Sequence, residues 1–186
     1  MINIKENYKK AISALKEKFG YKNVMAIPKI EKVVVNTGLG SLIAGTTSGE
    51  QKKIFESILG DLSIICGQKV VLTKARKSIA GFKTRTGMPI GAKVTLRGPK
   101  MNDFLNRVIN IALPRSRDFQ GINPNSLDEY GNLTIPIKEH IIFPEISAEK
   151  TRTVFGFEIT VVTTAKSKEE GLELLKSLGF PIKIKK

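Results

Sequence analysis

Two kinds of hydrophobic spacing alternate along this chain, and the alternation limits the folds that it can adopt. Apolar residues three or four positions apart predict helices, whereas apolar residues two positions apart predict strands. Helical spacing occurs in four segments, which begin near residues 4, 48, 101 and 168. Strand-like segments lie between them, so the sequence predicts an α+β fold.

Cap and turn residues mark the ends of these segments. Gly20 can end the first helix, and Ser48 with Gln51 has the spacing of a capping box for the second. Pro114 is expected to stop the third helix, because its nitrogen carries no hydrogen to donate. Strands are expected at 30–37, 70–73, 90–97, 133–137 and 155–161. We expect a single domain over residues 1–186, with a largely antiparallel sheet, helices packed on one sheet face, the other face free and a long basic loop at about 74–89.

Positive charge is concentrated in one part of the chain. The 186 residues include 31 Lys and Arg against 17 Asp and Glu, which gives a net charge of +14. No acidic residue occurs between Asp61 and Asp103, whereas nine basic residues do. A solvated surface usually mixes the two signs, so this segment favours a polyanionic partner. The charge alone leaves DNA, RNA and an anionic membrane open.

The predicted strands place polar side chains on one face. Lys32 and Asn36 share a face of the strand at 30–37, while Thr95 and Arg97 share a face of the strand at 90–97. These could be ordinary outward residues of a half-buried sheet. As a set, however, they offer amide, hydroxyl and guanidinium groups that can bond phosphates, 2′-hydroxyls and base edges.

The sequence lacks the residue patterns of common enzymes and metal sites. It has one cysteine, Cys66, and one histidine, His140, with no second ligand at metal spacing. Gly38 and Gly40 supply only half of a dinucleotide-binding pattern and fit a turn after a strand better. We therefore expect no catalytic residues, no metal and no cofactor. The start of the chain resembles neither a signal peptide nor a transit peptide, and the apolar runs are too short to span a membrane.

Several strings of residues, in order along nearly the whole chain, resemble the bacterial type of the large-subunit ribosomal protein L5 family. Two are highly specific: TKARKSIAGFK at 73–83 and KVTLRG at 93–98. The others are PKIEK and NTGLG at 28–40, GQK at 67–69, IFPEI at 142–146 and TTAK at 163–166.

This resemblance implies a structural, non-enzymatic role in translation. The family binds 5S rRNA with its sheet surface and attaches it to the central protuberance of the large subunit. The positions that match its 5S rRNA contacts are Lys32, Asn36, Gln68, Thr95 and Arg97. Its basic loop reaches 23S rRNA and the P-site tRNA, and the matching residues here are Lys74, Arg76, Lys77, Ser78, Phe82, Lys83 and Arg85.

Further partners implied by the resemblance are other ribosomal proteins of the central protuberance and a protein of the small-subunit head. The expected location is the ribosome, in the cytoplasm or inside an organelle. An alternative that also fits the charge is a general architectural protein for structured RNA or DNA. The combination of a basic loop with a polar strand face favours structured RNA over duplex DNA.

Overall fold

The computed structural model describes residues 3–43, 46, 48–117, 119–147, 149, 151 and 153–183. Its helices are α1 (Ile4–Phe19), α2 (Gly40–Ile43), α3 (Ser48–Cys66), α4 (Gly98–Arg107), α5 (Leu113–Arg115) and α6 (Lys168–Leu178). Short 3-10 turns lie at Val24–Ala26, Ala80–Phe82, Pro124–Ser126 and His140–Ile142. As expected, α1 ends at Gly20, whose φ of 67° is left-handed and whose N–H donates to the carbonyl of Lys16.

Five strands form one sheet. They are β1 (Ile30–Gly38), β2 (Val71–Lys74), β3 (Pro89–Leu96), β4 (Leu133–Ile137) and β5 (Phe157–Thr163). Their order across the sheet is β2-β3-β1-β5-β4, and β2 pairs with β3 in antiparallel register, Val71 opposite Lys93. The predicted α+β class with an antiparallel sheet is confirmed.

Along the strands, buried and more exposed side chains alternate. In β1 the buried residues are Val33, Val35 and Thr37, and in β5 they are the four odd-numbered residues from 157 to 163. In β3 the buried Ala92, Val94 and Leu96 alternate with the exposed Lys93 and the half-buried Thr95. This is the pattern of a sheet that is covered on one face, as the sequence predicted.

The chain forms two compact units, each with its own core. The first unit comprises residues 1–33, 96–135 and 159–186, and the second comprises residues 34–95 and 136–158. In the first unit, α1 packs against α6 and α4, and Lys18 forms a 2.7 Å ion pair with Glu173. In the second unit, α3 buries Phe55, Ile58, Leu62 and Ile65. The expectation of a single domain over the whole chain stays a prediction.

The helix that begins at Gly98 does not stop before Pro114. A π-helical turn over Val108–Ala112 follows α4, and α5 then continues to Arg115. The proline is the second residue of this last α-helical turn and follows directly on the π-helical turn. The wider π-turn thus lets the helix pass a proline, which the sequence rule did not anticipate.

His140 is a fully buried titratable side chain of the second unit. Its ring stacks on Phe155, with ring centroids 4.1 Å apart, and its Nδ1 accepts the main-chain N–H of Phe155 at 3.4 Å. Its Nε2 lies 3.6 Å from Oδ2 of Asp61. Burial lowers the pKa of His140 from its usual value of 6.5, although the Asp61 carboxylate opposes the shift. The imidazole therefore stays neutral inside the folded protein at neutral pH.

We expect the free energy of unfolding to fall as the pH drops from 6.5 toward the lowered pKa of His140. In that range the unfolded chain binds a proton that the folded chain does not bind, so acid favours unfolding, by at most about 1.4 kcal/mol per pH unit. His140→Leu should remove this part of the pH dependence. Urea unfolding at several pH values would measure it, and an identical pH profile in the variant would assign the effect to other groups.

Candidate nucleic-acid interface

Three of the predicted RNA-contacting residues lie in the second unit. Asn36 is half-buried on β1, and its Nδ2 donates a 3.3 Å hydrogen bond to Oε2 of Glu158 on β5. The half-buried Gln68 follows the end of α3, and its Nε2 donates at 3.1 Å to the main-chain oxygen of Thr95. The structure therefore brings Gln68 and Thr95 together, and the side chain of Gln68 fixes the segment after α3 to the end of β3.

The other two predicted contact residues lie in the first unit. Lys32 is about one third exposed, and its Nζ lies 3.6 Å from Oε1 of the adjacent Glu31. Arg97 directly follows β3 and is exposed at the N-cap position of α4, where its side chain makes no capping hydrogen bond. An exposed pair such as that of Lys32 and Glu31 contributes little to stability, so both cations are available to a partner. That Asn36, Thr95 and Arg97 form one surface stays a prediction.

The long basic loop predicted at about 74–89 is present, and its main chain forms the hydrogen bonds of a hairpin. At its base, the N–H of Ala75 donates to Met88 and the N–H of Gly87 donates back to Ala75, at 2.8 and 3.0 Å. Further out, the main chains of Ile79 and Thr84 exchange two hydrogen bonds. The tip is the 3-10 turn Ala80–Phe82. The hairpin thus prolongs the β2–β3 pairing beyond the sheet.

The hairpin exposes both cations and apolar side chains. No ion pair joins Lys74, Arg76, Lys77, Lys83 or Arg85 to an acidic group in the part of the chain that the structure describes. Phe82 is 75% exposed at the tip, and Ile79 is 48% exposed. Both line a cavity of about 850 Å³ that also borders Gly40 and Ile90. Unpaired cations beside an exposed aromatic ring can bind phosphates and stack on a base.

One side chain beside the predicted contact residue Asn36 was not recognised from the sequence. Glu158 is exposed on β5 and accepts the hydrogen bond from Asn36. The alternation of Phe157, Glu158 and Ile159 gave a usable signal, because it predicts that Glu158 points away from the core. Its partner could not be predicted, since that depends on the neighbouring position of β1 and β5 in the sheet.

Gly91 on β3 is required for a close backbone approach. A Cβ atom at this position would lie 2.7 Å from the main-chain oxygen of Thr37 and 2.8 Å from Oγ1 of Thr73. Thr73 is the residue opposite Gly91 in the β2–β3 pairing. A side chain at Gly91 would therefore push β3 away from its neighbours and disturb the strand that carries Thr95.

Among the residues that the structure describes, no group of three or more His, Cys, Asp or Glu side chains is placed to hold a metal ion. None of the helices described is both long enough and apolar enough to cross a membrane.

Comparison with known proteins places the whole chain in one family. The profile of ribosomal protein L5 matches residues 23–85, and the profile of the C-terminus of the same ribosomal family matches residues 89–182. The large ribosomal subunit protein uL5 of Alkaliphilus oremlandii is 54% identical over 97% of this chain and 98% of its own length. The same protein of Syntrophomonas wolfei is 53% identical over 98% of this chain and its whole length, and that of Halothermothrix orenii is 51% identical over 95% of this chain and 96% of its own. The chain therefore belongs to the ribosomal protein L5 family and is a structural, non-enzymatic protein of the large ribosomal subunit.

Proposed function

We propose that this protein binds 5S rRNA through the exposed side of its strands and attaches it to the central protuberance. The five residues proposed to contact the RNA are Lys32, Asn36, Gln68, Thr95 and Arg97. The observation that carries the proposal is the presence of polar side chains on the outward, half-buried to exposed side of β1 and β3, in a family of large-subunit proteins. Hydroxyl, amide and guanidinium groups on strands recognise the backbone and bases of structured RNA.

In this proposal, Gln68 acts partly by positioning. Its Nε2 donates one hydrogen to the main-chain oxygen of Thr95. Its Oε1 and its second amide hydrogen therefore remain for the RNA. The hydroxyl of Thr95 can both donate and accept. These two residues therefore offer a fixed group of donors and acceptors rather than mobile charges.

The hairpin has a separate role in this proposal. It contacts 23S rRNA and the P-site tRNA through Lys74, Arg76, Lys77, Ser78, Phe82, Lys83 and Arg85. Ser78 also helps to shape the hairpin, since its Oγ accepts the N–H of Thr86 at 2.9 Å. Further proposed partners are other ribosomal proteins of the central protuberance and a protein of the small-subunit head. The proposed location is the ribosome in the cytoplasm.

Binding to isolated 5S rRNA should depend on salt less steeply than the charge of the chain suggests. If all nine basic residues between Asp61 and Asp103 met phosphates, the slope of log K against log salt would be roughly −6 to −8, at about −0.7 to −0.9 per contact. Hydrogen bonds from the strands are not screened in this way, so we expect a clearly shallower slope. Filter binding at several salt concentrations measures it.

One control and one contradicting outcome complete this experiment. Duplex DNA of the same length competes at equal salt, and 5S rRNA should win if structured RNA is the partner. A slope in the range of roughly −6 to −8 would instead show that the nine cations, not the strand hydrogen bonds, dominate the affinity.

A further inference from the structure

Glu158 is an acidic residue on the exposed side of a strand in a chain of net charge +14. Its carboxylate accepts the hydrogen bond from Nδ2 of Asn36 at 3.3 Å. Both residues lie in the second unit, and Asn36 is one of the proposed RNA contacts. An acidic side chain beside a proposed RNA contact is therefore suited to a part of the RNA other than its phosphates.

The hydrogen bond determines which way the amide of Asn36 points. A carboxylate only accepts, so the NH₂ group of Asn36 must face Glu158, and Oδ1 of Asn36 then faces away from it. Apart from one remaining amide hydrogen, the pair offers only acceptors: the amide oxygen and the two carboxylate oxygens. Such a group repels phosphate, because both are negatively charged and a phosphate has no hydrogen to donate.

The pair borders a hollow in the second unit. This hollow has a volume of about 320 Å³ and is also lined by Gly38, Pro136 and Gly156. Gly156 is held tightly, because its carbonyl accepts the Thr37 hydroxyl at 2.7 Å and a Cβ atom there would lie 2.9 Å from the oxygen of Ile137. The volume is at the lower end of the range for small-ligand sites.

We propose that Asn36 and Glu158 form a site for hydrogen-bond donors of an RNA nucleotide, and that the donors are the imino and amino N–H groups of a guanine. This inference rests on the proposed binding of 5S rRNA. The two parallel N–H donors of guanine match the two oxygens of a carboxylate, as paired donors and acceptors do in base recognition. The cations of the chain then bind phosphates, while this pair supplies preference for a base.

Glu158→Gln tests the proposal with little change of shape. The exposed position makes a folding defect unexpected, and thermal unfolding checks this. We expect 5S rRNA affinity to fall by roughly 5- to 100-fold, the range of a good paired base contact. The salt slope should not change, because no phosphate contact is lost. Glu129→Gln makes the same change of charge at an exposed position of the first unit and should leave affinity unchanged.

Nucleotide substitution in the RNA identifies the donor. Pools of 5S rRNA carry inosine, which lacks the amino group, or 2′-deoxyguanosine at scattered positions, and bound molecules are separated from unbound ones. Inosine at one or a few positions should weaken binding of the unaltered protein, and this effect should disappear with Glu158→Gln. If 2′-deoxyguanosine gives that pattern instead, the donor is a ribose hydroxyl and the guanine assignment is wrong.

Other outcomes separate this inference from the proposed function. Equal or tighter binding by Glu158→Gln, with the same substitution pattern as the unaltered protein, would overturn the role of the pair while 5S rRNA binding stands. Failure of the unaltered protein to prefer 5S rRNA over duplex DNA would instead contradict the proposed function itself.

Discussion

Replacing Gly171 by alanine should lower the free energy of unfolding by about 3 kcal/mol or more. Gly171 is buried in the first turn of α6, and its added Cβ atom would lie 2.6 Å from the main-chain oxygen of Gly131. Gly131 cannot easily move, because its φ of 75° is left-handed and its carbonyl accepts the Thr163 hydroxyl at 3.1 Å. Backbone on both sides leaves the methyl group no space. Urea unfolding measures the loss.

Gly60 provides a matched control for this substitution. It lies on the exposed side of α3, and a Cβ atom there would meet nothing within 4 Å. Gly60→Ala should therefore raise the free energy of unfolding, by up to about 1 kcal/mol, since alanine favours the helix. Effects of the same sign at the two positions would contradict the close packing of α6 on the turn at Gly131.

Arg97→Ala should weaken binding to 5S rRNA about tenfold or more. A hydrogen bond from a charged group contributes about 1.5–3 kcal/mol, and the loss appears only in the complex. Thermal unfolding should hardly change, because the side chain is exposed and makes no capping hydrogen bond on α4.

Arg115→Ala is the control for the loss of a positive charge. Arg115 is exposed at the end of α5 and lies outside the proposed contact residues. It should reduce binding much less than Arg97→Ala at the same salt concentration. If Arg97→Ala lowers stability and binding to the same extent, Arg97 is a structural residue.

The sequence predicted those parts of the fold that depend on local spacing. The alternation in β1 and β5 was visible because each strand has one covered face, and the end of α1 was visible because Gly20 adopts a left-handed conformation. The passage of the third helix through Pro114 was missed. A π-turn is set by how the helix packs and has no simple residue signature.

The candidate site was predictable only in part. Strand alternation placed Asn36 and Thr95 on outward-facing positions, and the same alternation could have placed Glu158 there, although it was missed. The hydrogen bond between Asn36 and Glu158 was not predictable, because it joins residues 122 positions apart that meet only through the strand order. The loop at 74–89 was predicted, but its hairpin hydrogen bonds were not, since they are mainly between backbone groups and leave no hydrophobic period.

The division of labour between strands and hairpin can be tested by deleting residues 76–85. The deletion should close well, because Ala75 and Met88 already share a hydrogen bond and Gly87, with a φ of 85°, suits a tight turn. The shortened protein keeps all five residues proposed to bind 5S rRNA. The deletion should impair subunit assembly or retention of the P-site tRNA, because the hairpin is proposed to act there.

The most direct measurement is the affinity of the shortened protein for isolated 5S rRNA, compared with that of the full chain at the same salt concentration. We predict that the two affinities are close and that Arg97→Ala weakens both proteins to the same degree. Circular dichroism and thermal unfolding establish that the shortened protein is folded. Loss of 5S rRNA binding by a folded, shortened protein would contradict the account, because it would place the main 5S rRNA contacts on the hairpin.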